Sequence, residues 1–306
     1  MTQTPDTTTT VSGAHMEAEL MSQPDTWARA VELASDHADL FPTAGQRVAA
    51  IGCGTSWFMA QSYAALRERA GLGETDAFVG SEPLLERDYD LVVAISRSGT
   101  TSEIITAMSA IAGRIPVLAI VGAADTPIGR AADRVIETPF ADETSVVQTR
   151  FATTALTLLR ASLGEDLGAA IADARTATTA PLPEAAVTAE QTTFVGLGWT
   201  IGLAHEAALK NREASQSWTE SYPAMDYRHG PIAIAAPGRV TWSFGAAPEG
   251  LAAQVSATGA TFVEHAELDP LADLVIAQRV ALARARAAGL DPDHPRGLTR
   301  SVVLDG

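Results

Sequence analysis

Cysteine is nearly absent: Cys53 stands alone among 306 residues, which excludes a disulfide-stapled scaffold. Positive charge is scarce too. Lys and Arg number 21 against 37 Asp and Glu, for a formal net charge of −16. A general nucleic-acid binder needs a basic footprint, so nucleic acid is not an expected partner. Without a stretch of about 18 apolar residues, no transmembrane helix and no membrane partner is expected. The Thr-rich start, Met1 to Ser12, lacks the basic and apolar blocks of a secretory signal, so the expected setting is the cytoplasm. Lysine is the rarest basic residue, and Lys210 is the only one. Coding bias accounts for a surplus of arginine but not for the lysine that remains. Arginine stays protonated whereas lysine can shift its pKa, which makes Lys210 a candidate site residue.

Hydrophobic residues make up 46% of the chain, near the globular mean, and the length has room for two domains. Residues 1–24 show no periodic apolar face and read as a flexible tail. From Thr26 onward the pattern turns helical. Short apolar runs then alternate with helical stretches. Arg47–Ile51, Asp90–Ile95, Pro116–Val121 and Arg134–Thr138 read as strands; Trp57–Ala70, Ser102–Ala112 and Phe151–Ala161 read as helices. Ala180-Pro181-Leu182-Pro183 lies in an expected linker over 167–188. The rhythm restarts with strands at Thr193–Leu197, Arg239–Phe244 and Thr261–Glu264 and helices at Ile201–Ala214 and Leu271–Ala288. Continuous apolar strands between helices predict α/β architecture with parallel sheets covered on both faces. The expected units are 25–166 and 189–306.

Two loops rich in hydroxyls fall where a strand ends and a helix begins: Gly54-Thr55-Ser56 and Ser96 to Thr101. Ligands bind at the carboxyl ends of strands in open α/β sheets. A net acidic chain can still hold a small anion there, on backbone N–H groups and hydroxyls at a helix N-terminus. Ser and Thr also serve simply as N-caps. Two such loops at successive strand ends favour an anion site. Neither loop is a Walker motif or a full dinucleotide fingerprint.

These residues carry a resemblance. Ile95 to Thr101 resembles the phosphate loop of the sugar isomerase (SIS) family. Cys53 to Ser56, Glu206 to Glu213 with Tyr222 to Pro231, and Asp291 to Val302 extend the likeness in order over nearly the whole chain. The likeness is in particular to the isomerase half of glutamine–fructose-6-phosphate aminotransferase. Stand-alone glucosamine-6-phosphate deaminases and fructosamine-6-phosphate deglycases are related. The resemblance implies two SIS units, each a parallel sheet in three αβα layers of flavodoxin type. It implies that Ser56, Ser96, Arg97, Ser98 and Thr101 hold a sugar phosphate, with Arg97, where glutamine is usual, adding charge to the phosphate site. Glu206, Lys210 and Glu213 match a catalytic helix. His229 matches a ring-opening histidine supplied by the neighbouring subunit, so a homodimer is implied.

The chemistry is consistent with these positions. Glu206, Lys210 and Glu213 recur at i, i+4, i+7 and share one helix face; an ordinary solvated Glu–Lys pair is the bland reading. Aldose–ketose interconversion needs a base that moves a proton between adjacent carbons, and a carboxylate raised by burial suits it. Glu213 is the candidate. Ring opening suits an imidazole, and His229 is the candidate.

Two departures stand out. Arg300 occupies the position of the family's Schiff-base lysine, and a guanidinium forms no imine. The family's synthase also has a glutaminase domain that this sequence lacks, and Cys53 reads as a small buried residue rather than a nucleophile. The six histidines show no metal-ligand spacing, and no cofactor is expected. The expected function is isomerisation of a hexose or amino-sugar 6-phosphate, alone or coupled to deamination or deglycation. The alternative, favoured by Arg300, is a phosphosugar-binding sensor without catalysis.

Overall fold

The structure, a computed structural model, describes residues 12–304. Two helices come first, α1 (Ala14–Met21) and α2 (Gln23–Asp36). A strand–helix series follows: β1 (Val48–Gly52), α3 (Thr55–Arg69), β2 (Thr75–Val79), β3 (Leu91–Ser96), α4 (Ser102–Ile111), β4 (Val117–Val121), α5 (Pro127–Ala131) and β5 (Arg134–Glu137). Helices α6 (Arg150–Ser162), α7 (Gly168–Thr179) and α8 (Glu184–Thr188) lead to β6 (Gln191–Gly196), α9 (Thr200–Ser215) and β7 (Thr219–Pro223). The chain closes with β8 (Arg239–Phe244), α10 (Leu251–Ala257), β9 (Thr261–Glu264) and α11 (Pro270–Ala287).

The strands make two sheets, parallel throughout, ordered β2-β1-β3-β4-β5 and β7-β6-β8-β9. Every residue of β1, β3, β4 and β6 is buried, as continuous apolar strands covered on both faces require. Helices flank both sheets, giving the expected three layers. The inner faces of both sheets share one apolar core, in which Trp27, Phe151, Phe194 and Trp242 belong to a single contiguous cluster. Outside it, α4 and α5 cover the far face of the first sheet through Ile104, Met108 and Ile128. Tyr227, Leu251 and Val255 cover that of the second.

Two expectations are corrected. Residues 14–24, assigned to a flexible tail, are helical, and Met16, Glu19 and Leu20 are buried; residues 1–11 of that tail lie outside the described residues. The expected linker 167–188 is mostly α7 and α8. It is stapled to α11, because Arg279 donates to the carbonyls of Ala177 and Ala180 and Arg284 to those of Ala186 and Ala189. A shared core, rather than two cores joined by a tether, is the physical consequence.

The two halves meet closely where α3 crosses α9. A Cβ at Gly202 would lie 2.3 Å from the Phe58 carbonyl oxygen and from Ser62 Oγ, and Ser62 Oγ donates to the Trp199 carbonyl at 2.8 Å. Only glycine permits that approach. It brings the later part of α9 against the loop after β1, with Leu209 facing Gly54.

The candidate active site

Both hydroxyl loops sit at the carboxyl ends of neighbouring central strands, β1 and β3. They line one cavity of about 210 Å³. Thr55, Ser56, Ser96, Ser98 and Thr101 form one wall. Gly99, at φ +63°, lets the second loop turn. Ser96 Oγ accepts from the Gly99 N–H and Ser98 Oγ from the Thr100 N–H, both at 3.2 Å. Each hydroxyl therefore shapes the turn as an acceptor; Ser98 keeps its own proton to donate, and the Ser96 and Thr101 hydroxyls lie 3.5 Å apart, within hydrogen-bond reach of each other. Thr101 occupies the N-cap of α4 but makes no side-chain cap bond among the described residues, so its hydroxyl is not spent on the helix. The hydroxyls face the positive end of a helix dipole, an arrangement suited to an anion.

Arg97 behaves differently from expectation. It lines the cavity, but its buried guanidinium lies 3.6 Å from the fully buried Glu143 and donates to the carbonyls of Ser145, Val146 and Arg300. Its charge is offset by Glu143, and it works as a strut tying the phosphate loop to segment 142–149 and to the chain end. Burial pushes the Glu143 carboxyl above its usual range; Arg97 opposes this and Glu19 adds to it. Arg300 also lines the cavity, and its guanidinium donates to Asp142 and to the Glu143 carbonyl. Residues 298–302 close one side. They are held by Thr100 Oγ1 to Ser301 Oγ at 3.0 Å and by the Ser102 N–H to the Val302 carbonyl at 3.3 Å.

Opposite the hydroxyls stands α9. Lys210 and Glu213 line the cavity, whereas Glu206, 0% exposed, lies behind them. Lys210 Nζ donates to Glu213 Oε2 and sits 3.6 Å from Glu206 Oε1. Burial opposes the charge on Lys210, but Glu206 and Glu213 prevail and raise its pKa. It is therefore an ammonium and not a nucleophilic amine. The carboxyl that burial raises most clearly is that of Glu206, pushed up to about 8, with Lys210 opposing and Glu213 contributing. Glu213, whose side chain is 20% exposed, is the carboxylate that reaches the cavity. His229 sits exposed at the end of a 3-10 turn, Asp226–His229, and does not line this cavity within its own chain. Burial, with Glu103 second, pushes the Cys53 thiol up to about 11, which leaves it inert.

The raised Glu206 carboxyl has a measurable consequence. Between its ordinary 4.5 and about 8, the folded chain holds a proton that the unfolded chain has released. Its contribution to stability therefore falls as pH rises through that window, by about 1.4 kcal/mol per pH unit at most. Glu206→Gln removes that contribution. Urea unfolding at about pH 5 and about pH 7.5 should show a shallower loss for the variant; equal slopes would contradict the assignment.

Other cavity residues escaped sequence reasoning: Glu103, Val146, Gln148, Thr299 and Ser301. The polar stretch just ahead of α6 was the available signal for Gln148. Its Nε2 is buried without a hydrogen-bond partner among the described residues, as is Glu103 Oε2. Buried Glu19 of α1 acts at a distance, accepting from the N–H groups of Thr144 at 2.5 Å and Ser145 at 3.2 Å and from the Ser145 hydroxyl. Glu19→Ala leaves the Thr144 and Ser145 N–H groups unpaired, while the Ser145 hydroxyl keeps the Val147 carbonyl. It should lower unfolding stability by about 2–3 kcal/mol in urea titration; a change within 0.5 kcal/mol, the range of ordinary surface substitutions, would show that Glu19 does not hold the segment.

Residues 43–163 match the SIS domain family. The matched stretch contains both hydroxyl loops, and Glu206, Lys210 and Glu213 lie beyond its end. The chain is 28% identical over 317 residues to the glutamine–fructose-6-phosphate aminotransferase [isomerizing] of Pyrobaculum aerophilum, covering 86% of this chain and 52% of that protein. To the protein of the same name from Symbiobacterium thermophilum it is 29% identical over 276 residues, covering 73% and 45%. It thus spans about half the length of these curated relatives. The glucosamine-6-phosphate deaminase of Thermotoga maritima shares the fold, with TM-score 0.78, 21% identity and coverage of 94% of this chain and 99% of that one. So does the tagatose-6-phosphate ketose/aldose isomerase of Escherichia coli, with TM-score 0.77, 16% identity and coverage of 96% and 97%. No helix among the described residues is long and apolar enough to cross a membrane.

Proposed function

We propose that this chain is a sugar-phosphate isomerase-type enzyme that acts on a hexose or amino-sugar 6-phosphate. One observation carries the reading: a single cavity joins the hydroxyls of Ser96, Ser98 and Thr101 to the carboxylate of Glu213 and the ammonium of Lys210. The names of the SIS relatives point the same way. The second sheet, whose order β7-β6-β8-β9 repeats the first four positions of the SIS sheet, is read as a second SIS unit.

The phosphate is held by Ser56, Ser96, Ser98 and Thr101 at the two helix N-termini. The unpartnered Gln148 amide donates to a sugar hydroxyl. In the open-chain sugar the Glu213 carboxylate takes a proton from the carbon beside the carbonyl and returns it to the neighbouring carbon, while the hydroxyl proton moves from one oxygen to the other. Lys210 stabilises the negative charge that develops on the enediolate between these steps. Glu206 anchors Lys210 from behind. His229, from a second copy in a homodimer, opens the ring. No imine forms at Arg300, whose guanidinium is engaged by Asp142. That engagement is also what favours the second reading, a sensor that binds sugar phosphate without turning it over.

Incubation with fructose 6-phosphate, glucosamine 6-phosphate and fructosamine 6-phosphate, followed for isomer, ammonia or released amine, separates the two. Turnover of one compound supports the enzyme. Tight binding of one with no turnover of any supports the sensor.

A further inference from the structure

Two carboxylates line the cavity, and the proposed function uses only one of them. Glu213 accepts from Lys210, whereas Glu103 Oε2 is buried and accepts from nothing among the described residues. Glu103 stands in the first turn of α4, just beyond Thr101. An acid there ordinarily faces solvent and favours the positive end of the helix dipole. This one keeps an oxygen out of water, and a buried carboxylate oxygen without a donor is unfavourable. The side chain stands in the wall between the cavity and a neighbouring groove of about 410 Å³. Its charge helps push up the Cys53 thiol, and Cys53 lines the cavity but not the groove, which puts the carboxylate beside the cavity. A phosphate gripped by Ser98 and Thr101 brings like charge within a helical turn of Glu103, which weakens the anion site. A hydroxyl that donates to the carboxylate offsets both penalties.

We infer that Glu103 is a specificity residue, which accepts a hydrogen bond from the C4 hydroxyl of the sugar 6-phosphate and so selects one configuration at C4. This rests on the proposed function and deepens it. A carboxylate offers acceptors only, so it calls for a donor on the ligand and not for a carbonyl. Position decides which hydroxyl supplies it. Helix α9 addresses C1 and C2 from the opposite wall, while Glu103 shares the first turn of α4 with the hydroxyls that take the phosphate. The C5 oxygen closes the ring in fructofuranose and glucosamine pyranose 6-phosphates alike. C4 is therefore the carbon nearest the phosphate that bears a free hydroxyl in ring and open chain. Inversion at C4 turns that hydroxyl aside and leaves Glu103 Oε2 without a donor. A site built to hydrogen-bond a hydroxyl strongly rejects the analogue that fails to supply it.

The test is calorimetric titration of three ligands: fructose 6-phosphate, its C4 epimer tagatose 6-phosphate, and its C3 epimer allulose 6-phosphate. The C4 epimers should differ in affinity by at least about tenfold. Glu103→Ala should bring them to within about threefold of each other by weakening the tighter one. The ratio of fructose 6-phosphate to allulose 6-phosphate should not move, because C3 lies nearer the opposite wall. Should alanine prevent folding, Glu103→Gln, which keeps the size of the side chain, reads the same ratios. A smaller difference between the C4 epimers in the unsubstituted protein overturns the inference and leaves the proposed function standing. So does a C4 preference that survives substitution, or a C3 ratio that falls along with it. Failure to bind any of the three overturns both.

Discussion

Glu213→Gln is expected to lower kcat on the sugar-phosphate substrate by about a hundredfold to ten-thousandfold, the span that general-base catalysis commonly supplies. Affinity should change only a few-fold. Glutamine keeps the shape of the side chain and still accepts from Lys210 through its amide oxygen, so the cavity wall stays in place. What disappears is the group that receives a proton from carbon. Because the phosphate is gripped at the opposite wall by Ser96, Ser98 and Thr101, the loss should fall on kcat rather than on ligand binding. Steady-state kinetics with calorimetry on the same preparation would read both. An unchanged kcat would remove Glu213 as the base. Loss of binding with kcat intact would place it among the ligand-holding groups instead.

The second large effect is expected at Gly99. A Cβ there would lie 2.1 Å from Thr126 Oγ1 and 2.6 Å from Thr126 Cβ, on a backbone at φ +63°. Thr126 cannot yield freely, since its hydroxyl caps α5 by accepting from the Gly129 N–H. Gly99→Ala therefore moves the phosphate loop itself, including the Gly99 N–H that Ser96 Oγ accepts. Losing two hydrogen bonds to a charged ligand costs about 3 kcal/mol, or about a hundredfold in sugar-phosphate affinity. Gly45→Ala is the control. Gly45 also has positive φ, at +86°, but nothing lies within 4 Å of its added Cβ. That variant should pay the backbone strain, about 1–3 kcal/mol, and keep its affinity. Equal affinity losses in the two variants would mean that strain alone, and not the position of the loop, weakens binding.

What could be read from the amino acids tracked how locally each feature is encoded. Strands β1, β3, β4 and β6 are buried on both faces, and their unbroken apolar runs were visible; β8 and β9 fall on the expected bounds. Strands β2 and β7, with sequences TDAFV and TESYP, were not recognised. They are edge strands, half-buried along most of their length, so polar residues break the apolar run. On α9 the spacing of Glu206, Lys210 and Glu213 gave one face. Whether each side chain meets the cavity or the core depends on α3 crossing at Gly202, and no local pattern encodes that crossing. Arg97 was read as a charge for the phosphate, and Arg300 as the residue at a Schiff-base lysine's position. The partners that claim them, Glu143 and Asp142, come from a segment far along the chain. The bond that the Ser145 N–H donates to Glu19 is similar in kind: it joins a helix taken for a tail to the cavity edge across the first sheet's whole sequence.

The central claim is geometric: hydroxyls at two strand ends hold one end of a phosphorylated sugar while α9 addresses the other. A crystal structure of the protein soaked with fructose 6-phosphate tests it most directly. The account predicts phosphate oxygens within hydrogen-bond distance of the Ser98 and Thr101 hydroxyls, and C1 and C2 facing the Glu213 carboxylate. A phosphate seated away from these hydroxyls, or a sugar whose first two carbons point away from α9, would contradict it.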